Sequence, residues 1–325
     1  MSDHRSMRGV YLILGILLPG TVLVALSCGA VHVPWSGFTT SPVMKLRLAR
    51  VILALFAGAS LSVAGCVLQS LMRNPLAEPY LLGVSSGAGV AAVVTVCSGL
   101  SVFGTATTPV AAFFGAMGAI LLVCALARQR DGSTPVGSLL LSGAILNSIL
   151  GSVLIFVVSV SSSEYLHGIL WWMLGNLQIF DWNLLAVTGV ITVFGIGICL
   201  VLARPLNLIS LGDETATQLG VEVQRVRLIL LMVASLLTAG TIAACGLIGF
   251  VGLIVPHTIR LLVGSDHRRL IPVSVLGGAI FLTAADTVAR TAMDVEIPIG
   301  VITSLVGGPF FLGLLRRHDG MESGT

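Results

Sequence analysis

RVILALFAGASLSVAG, residues 50–65, opens on an arginine and then runs fifteen residues without another charge. Polar and apolar residues do not alternate along it, as they would in a half-exposed strand or a membrane barrel. It lies within an apolar run, 48–70, and a helix needs about 20 such residues to cross a bilayer core. Runs of the same kind recur along the chain at 11–30, 82–100, 109–127, 139–160, 184–203, 228–245, 247–263, 271–290 and 298–315. Only 10% of residues are charged and 56% are apolar, against about 25% charged in a soluble domain. A spanning backbone must satisfy its own hydrogen bonds, which leaves helices. The sequence therefore predicts an all-α polytopic membrane protein with ten transmembrane helices.

The opening stretch has an echo. RVRLILLMVASLLTAG, 225–240, matches it at nine of sixteen positions without a gap, and both carry ASLxxAG in one register. Five spans separate the copies, so they should run in opposite directions. Spans 2–5 and 7–10 then form an inverted repeat with span 6 as linker, an organisation typical of transporters. AGASLSVAG and SVLGGAI place small residues where helices can approach closely. Glycine–proline breaks such as GGPF (307–310) suggest short or interrupted helices, tolerated where protein or a water-filled cavity covers the backbone.

The N-terminus, MSDHRSMRGVYLILGILLPGTVLVALSCG, has the basic start and apolar stretch of a signal peptide, and Cys28 follows a small residue as in a lipoprotein site. With nine more spans behind it, an uncleaved first helix is the better reading. The six cysteines stand singly in apolar runs with no CxxC pair, which argues against a metal site or disulfide framework. If the N-terminus is inside, thirteen of the seventeen lysines and arginines fall on inner segments, and the positive-inside rule places both termini in the cytoplasm. The outer exceptions are Lys45, Arg47 and Arg50 in KLRLAR and Arg290 at the end of span 9. They can snorkel to headgroups or form a basic patch that registers an acidic partner.

Several chemistries are missing. The one lysine sits outside any GxxxxGK[ST] sequence, so the chain has no P-loop for ATP. No HExxH occurs, and Asp286, the nearest to an intramembrane acid, has Arg290 four residues on as an ion-pair partner. His257 reads as a packing residue. The longest inner connection, 203–227, contains SLGD, where Ser210 precedes Asp213 by three residues as at a helix start, and Gly220 as a closing cap. A polar helix there is either a well-capped loop or a knob for a cytoplasmic partner. RNPLAEPYLLGVSSGAG, 73–89, has no lysine for a phosphate cradle; Asn74-Pro75 and Glu78-Pro79 read as a tight inner turn, followed by a small-residue third helix. Trp171, Trp172 and Trp182, between spans 5 and 6, suit an interfacial belt.

Together these segments resemble the membrane subunits of type II ABC importers, the FecCD-like family that moves iron–siderophores, haem and cobalamin. The resemblance rests on 47–89, LGDETATQLGV (211–221), GLIGFVGLIVPHTIRLLVGSDHRRLIP (246–272) and ADTVAR with EIPIGVITSLVGGPFFLGLL (285–315). It implies a single permease domain over 1–325, with 203–227 as a cytoplasmic coupling segment, and a homodimer enclosing the path. Two ATPase subunits, which hold ATP and Mg, would engage Leu211, Gly212, Asp213, Glu214, Ala216, Thr217, Leu219 and Gly220. An external substrate-binding protein would dock on Arg47, Arg50 and Arg290. Pro135, Val136, Gly137 and Ser138 correspond to an inner gate. No cofactor, metal, catalytic residue or nucleic-acid partner is implied for this chain, which would sit in a prokaryotic inner membrane. Two departures stand out: Ala49 replaces a proline frequent in relatives, and a polar pair near the gate is not retained. The alternative from the residues alone is an ion-gradient-driven secondary transporter.

Overall fold

The computed structural model describes residues 2–29, 41–130, 132–178 and 181–322, with the backbone alone for 2–8 and 314–322. The arginines at 5, 8, 316 and 317, counted in the charge bias, thus lie outside the described side chains. The chain is helical: α1 (Ser2–Ser27), α2 (Pro42–Leu71), α3 (Val84–Cys97), α4 (Thr107–Ala127), α5 (Val136–Val160), α6 (Ser163–Met173) and α7 (Trp182–Val201). There follow α8 (Ala203–Leu211), α9 (Asp213–Gln218), α10 (Val223–Cys245), α11 (Val251–Val263), α12 (His267–Thr291) and α13 (Ile299–Glu322). Pro42 at the first position of α2 and Asp181 and Asp266 as side-chain caps of α7 and α12 explain three of the starts.

Among the described residues seven helices are long and apolar enough to cross a membrane, which makes this a multi-pass membrane protein. The expected third, eighth and tenth spans are shorter apolar helices: Val84–Cys97, Val251–Val263 and, over its apolar part, Ile299–Gly313. At 1.5 Å per residue the 14-residue α3 reaches about 21 Å, short of the hydrocarbon core of about 30 Å. Hydropathy alone hid this shortening, because the residues flanking each short helix are apolar too.

Helix directions follow from paired contacts. Along α2 and α7, Phe56 meets Gly189 and Ser60 bonds Thr192 at 2.8 Å, so these run parallel. Gly195 faces Leu237 and Ile191 faces Gly240, so α7 and α10 run antiparallel. The two copies of the repeated sequence, in α2 and α10, therefore run in opposite directions. Helix α2 is the central element, buried along most of its length. Two of its glycines make the packing possible: a Cβ on Gly58 would overlap the carbonyl oxygen of Gly278 in α12, and one on Gly65 that of Gly252 in α11.

The segment 73–83 is not the simple turn its prolines suggested. Arg73 adopts a left-handed φ of 47°, Asn74 Oδ1 accepts from Leu76 N at 2.9 Å, and the chain then turns back into the bundle. A 3₁₀ turn, Pro79–Leu82, leads through Gly83 (φ 79°) into α3. There it meets a second irregular stretch, 246–250, between α10 and α11. Glu78 Oε1 accepts from Phe250 N at 2.7 Å. The Tyr80 hydroxyl donates to Ile248 O at 2.7 Å and accepts from Ile248 N at 3.0 Å. Unwound backbone inside a membrane bundle persists only when protein satisfies its polar groups. Here two side chains of the 73–89 segment do so for the break before α11. Tyr80→Phe orphans both polar groups of Ile248, and each unsatisfied group costs about 1–3 kcal/mol. The variant should show a clearly lowered thermal midpoint in detergent, whereas Glu78→Gln, which keeps an acceptor, should stay near wild type.

Candidate functional site

Two clusters occupy opposite ends of α2. At its N-terminal end the structure brings Arg47, Arg50 and Arg290 together with Asp286, Glu296 and the end of α1. Arg50 donates from Nε (2.8 Å) and Nη2 (2.7 Å) to Asp286 Oδ1 and pairs with Glu296 as well. Arg290 Nε lies 3.1 Å from Asp286 Oδ2. It also donates to Cys28 O (3.0 Å) and Ala25 O (2.5 Å), while Arg47 donates to Leu26 O (3.0 Å) and Ser27 O (3.4 Å). The last turn of a helix leaves its carbonyls without partners, and here two arginines cap α1. The expected Asp286–Arg290 pair is present; Arg50 as a further partner of Asp286 joins residues 236 apart and could not be seen in sequence. All three arginines are 7–9% exposed, so their charge is turned mostly inward, and Lys45 is the exposed cation of the same turn.

At the C-terminal end of α2 lies the 203–227 connection. It forms two helices rather than one. Ser210 does not cap α9: its hydroxyl donates back to Asn207 O at 2.6 Å inside α8. Gly212, at φ 141°, supplies the sharp corner and is the N-cap residue of α9. Gly220 does adopt the left-handed conformation (φ 83°) just past the helix. Ala216 is buried and anchors the helix, while Glu214, Thr217, Gln218 and Gly220 are exposed. Leu211 and Leu219 are 71% and 59% exposed, giving the knob two apolar corners on a polar body. Asp213 is half-exposed, but both of its oxygens are engaged within the chain, one by Arg73 and the other by Arg227. Beside the knob, Asp266 caps α12 and takes three hydrogen bonds from the Arg268 guanidinium, two at 3.0 Å and one at 2.7 Å. Those bonds hold its carboxyl well below the usual carboxylate range. A lowered folded value means this stabilisation is present above about pH 4, the ordinary Asp value, and is lost as pH falls through the lowered one.

The turn at 133–138 lies near the same end. Pro135 precedes the first residue of α5, Val136 packs against the core, and Gly137 is exposed beside half-buried Ser138. Thr134, a residue the sequence did not single out, ties this turn to the start of α10 through Gln224 Oε1 (3.3 Å from N, 3.2 Å from Oγ1). Trp171 and Trp172 line a cleft of about 310 Å³ with Thr105, Thr108, Asn176 and Asp181, whereas Trp182 lines a separate apolar groove with Phe56. His257 packs edge-on against Phe310, ring centroids 6.2 Å apart.

The chain is 46% identical to the cobalamin import system permease protein BtuC of Halobacterium salinarum, over 84% of this chain and 73% of that one. It is 37% identical to the hemin transport system permease protein HmuU of Yersinia pestis, over 96% and 98%. A solved structure described as an inward-facing conformation of a metal-chelate type ABC transporter superposes with a TM-score of 0.86 at 31% identity, over 95% of this chain and 99% of that one. The model of the FecCD transport family matches residues 14–317, nearly the whole chain, and the protein belongs to that family.

Proposed function

We propose that this chain is the membrane subunit of an ATP-driven importer, carrying an iron chelate, haem or cobalamin delivered by an external binding protein. The observation that carries the reading is the α8–α9 knob, polar with two exposed leucines, at the end of α2 opposite the arginine cluster. In a family member without an ATP site of its own, such a knob suits insertion into a separate ATPase subunit. Leu211, Gly212, Glu214, Ala216, Thr217, Leu219 and Gly220 form or shape that contact. In this reading the three short helices complete ten spans, with 2–5 and 7–10 as inverted halves. Two copies enclose the path, and both termini and the knob face the cytoplasm of a prokaryotic cell. Pro135, Val136, Gly137 and Ser138 line the inner gate. ATP binding by the partner draws the knobs together and shifts the membrane halves between outward and inward states.

Arg47, Arg50 and Arg290 are the docking surface for acidic groups of the binding protein. Their internal bonds make them a preorganised positive field rather than free side chains, since among the described residues the three guanidinium groups are gathered around two carboxylates, Asp286 and Glu296. Thr217→Cys should cross-link to a co-purified ATPase subunit in an ATP-dependent manner. Lys45→Cys should cross-link to the binding protein without disturbing the buried network. Import into proteoliposomes on an ion gradient alone, with no ATPase subunit present, would overturn the reading. The cargo itself is identified by which candidate, presented on the cognate binding protein, stimulates ATP hydrolysis by the complex.

A further inference from the structure

We infer that Asp213 and Asn207 are positioning residues that transmit movement of the α8–α9 knob into the membrane bundle, rather than contacts for the ATPase. The inference rests on the coupling role proposed above. A unit of nine and six residues can pass on a displacement only where it is firmly joined to what it must move. Two polar clamps make that join. In the first, Asp213 Oδ1 pairs with Arg73, just past the end of α2, and Oδ2 accepts from Arg227 Nη2 of α10 at 2.6 Å. Arg73 also donates to Ile209 O, the penultimate carbonyl but one of α8, from Nε (3.3 Å) and Nη2 (3.1 Å). Arg227 is 1% exposed, and its Nε has no hydrogen-bond partner. A buried guanidinium this poorly supplied depends heavily on its carboxylate.

In the second clamp, Asn207 of α8 reaches the start of α12. Its Oδ1 accepts from His267 N at 2.9 Å and faces His267 Nδ1 at 2.5 Å, while its Nδ2 donates to Asp266 Oδ1 at 2.7 Å. An amide oxygen opposite Nδ1 requires the proton on Nδ1. Ser70, in the last turn of α2, lies against Nε2 of the same ring. The knob is thus bonded to the end of α2 directly and through His267, to α10 through Arg227 and to α12 through His267. Both α10 and α12 pack on α2. By contrast, Thr217 bonds within its own helix, to Asp213 O at 2.8 Å, and faces outward. The knob is divided: an outer side for the partner and an inner side joined to the bundle.

The test uses the complete importer in proteoliposomes, with permease, ATPase subunits and binding protein. Asp213→Asn and Asn207→Ala should retain the ATPase subunits on purification and continue to hydrolyse ATP, while substrate imported per ATP falls about tenfold or more, a coupling loss of ordinary size. Asp213→Glu should recover part of the loss, and Thr21→Ala in α1, whose hydroxyl bonds within its own helix, should change nothing. Unchanged import per ATP in both clamp variants overturns the inference. So does loss of the ATPase subunits from them, which would make these side chains partner contacts. If Asp213→Asn lowers the yield of folded protein, Asn207→Ala alone decides by the same ratio. Absence of ATP-dependent import in the wild-type complex would instead sink the coupling reading on which the clamps rest.

Discussion

Asp286→Ala is expected to destabilise the protein by about 3–5 kcal/mol, the cost of leaving a buried charge without its partner. Asp286 is fully buried and pairs with both Arg50 and Arg290. Its loss leaves Arg290 with only the carbonyls of α1 among its described hydrogen bonds and Arg50 with Glu296 alone. The two guanidinium groups then repel each other with Glu296 as the remaining described carboxylate to offset them, and the joint of α1, α2 and α12 loosens. Asp286→Asn keeps the shape but not the charge and should be nearly as damaging. Replacing the group as a whole, by Asp286→Ala with Arg50→Met and Arg290→Met, should recover part of the stability, because an apolar set leaves no orphaned ion. Thermal unfolding of the purified protein in detergent or nanodiscs reads all three, and a wild-type midpoint in Asp286→Ala would contradict the account. The triple variant should nonetheless fail to bind the external partner, which separates the stabilising role of the arginines from the docking role proposed for them.

Gly65→Ala should be the most disruptive single methyl that can be added. The new Cβ would overlap the carbonyl oxygen of Gly252, and both partners are backbone in packed helices, so neither can rotate away. Overpacking usually costs about 1–3 kcal/mol, and the upper end or beyond is expected when no side chain can yield. Gly58→Ala against Gly278 O should behave alike. The contrast is Gly151→Ala in α5, where a Cβ meets nothing within 4 Å and helix propensity favours alanine by up to about 1 kcal/mol. Folded yield and thermal midpoint should rank Gly151→Ala at or above wild type and Gly65→Ala far below it. If Gly65→Ala unfolds with Gly151→Ala, the close α2–α11 approach is wrong.

Membrane helices announce themselves in sequence because length and apolarity are sums over neighbours along the chain. That is why α2, α4, α5, α7, α10 and α12 were legible almost to their ends, and why the repeat in α2 and α10 could be read with its opposed directions. Gly220 was legible as a helix end for the same local reason. The residues of the candidate site were legible individually: the arginines by violating the charge bias, the knob by its polarity within an apolar chain. At Ser210 the sequence reading failed for a local reason: Gly212 breaks the helix first, and the hydroxyl bonds back to Asn207 O inside α8 instead of capping α9.

Composition and pattern by themselves determined a helical, multi-pass membrane protein, because transfer free energy and backbone satisfaction depend on local residue type. Beyond the Asp286–Arg290 pair, tertiary structure decided which charges are spent internally. Arg50 and Asp286 stand 236 residues apart, and Asp213 joins α2 to α10 through Arg73 and Arg227. It also decided that α3 and α11 begin inside the bundle, where Glu78 and Tyr80 supply the hydrogen bonds that water would otherwise have to provide.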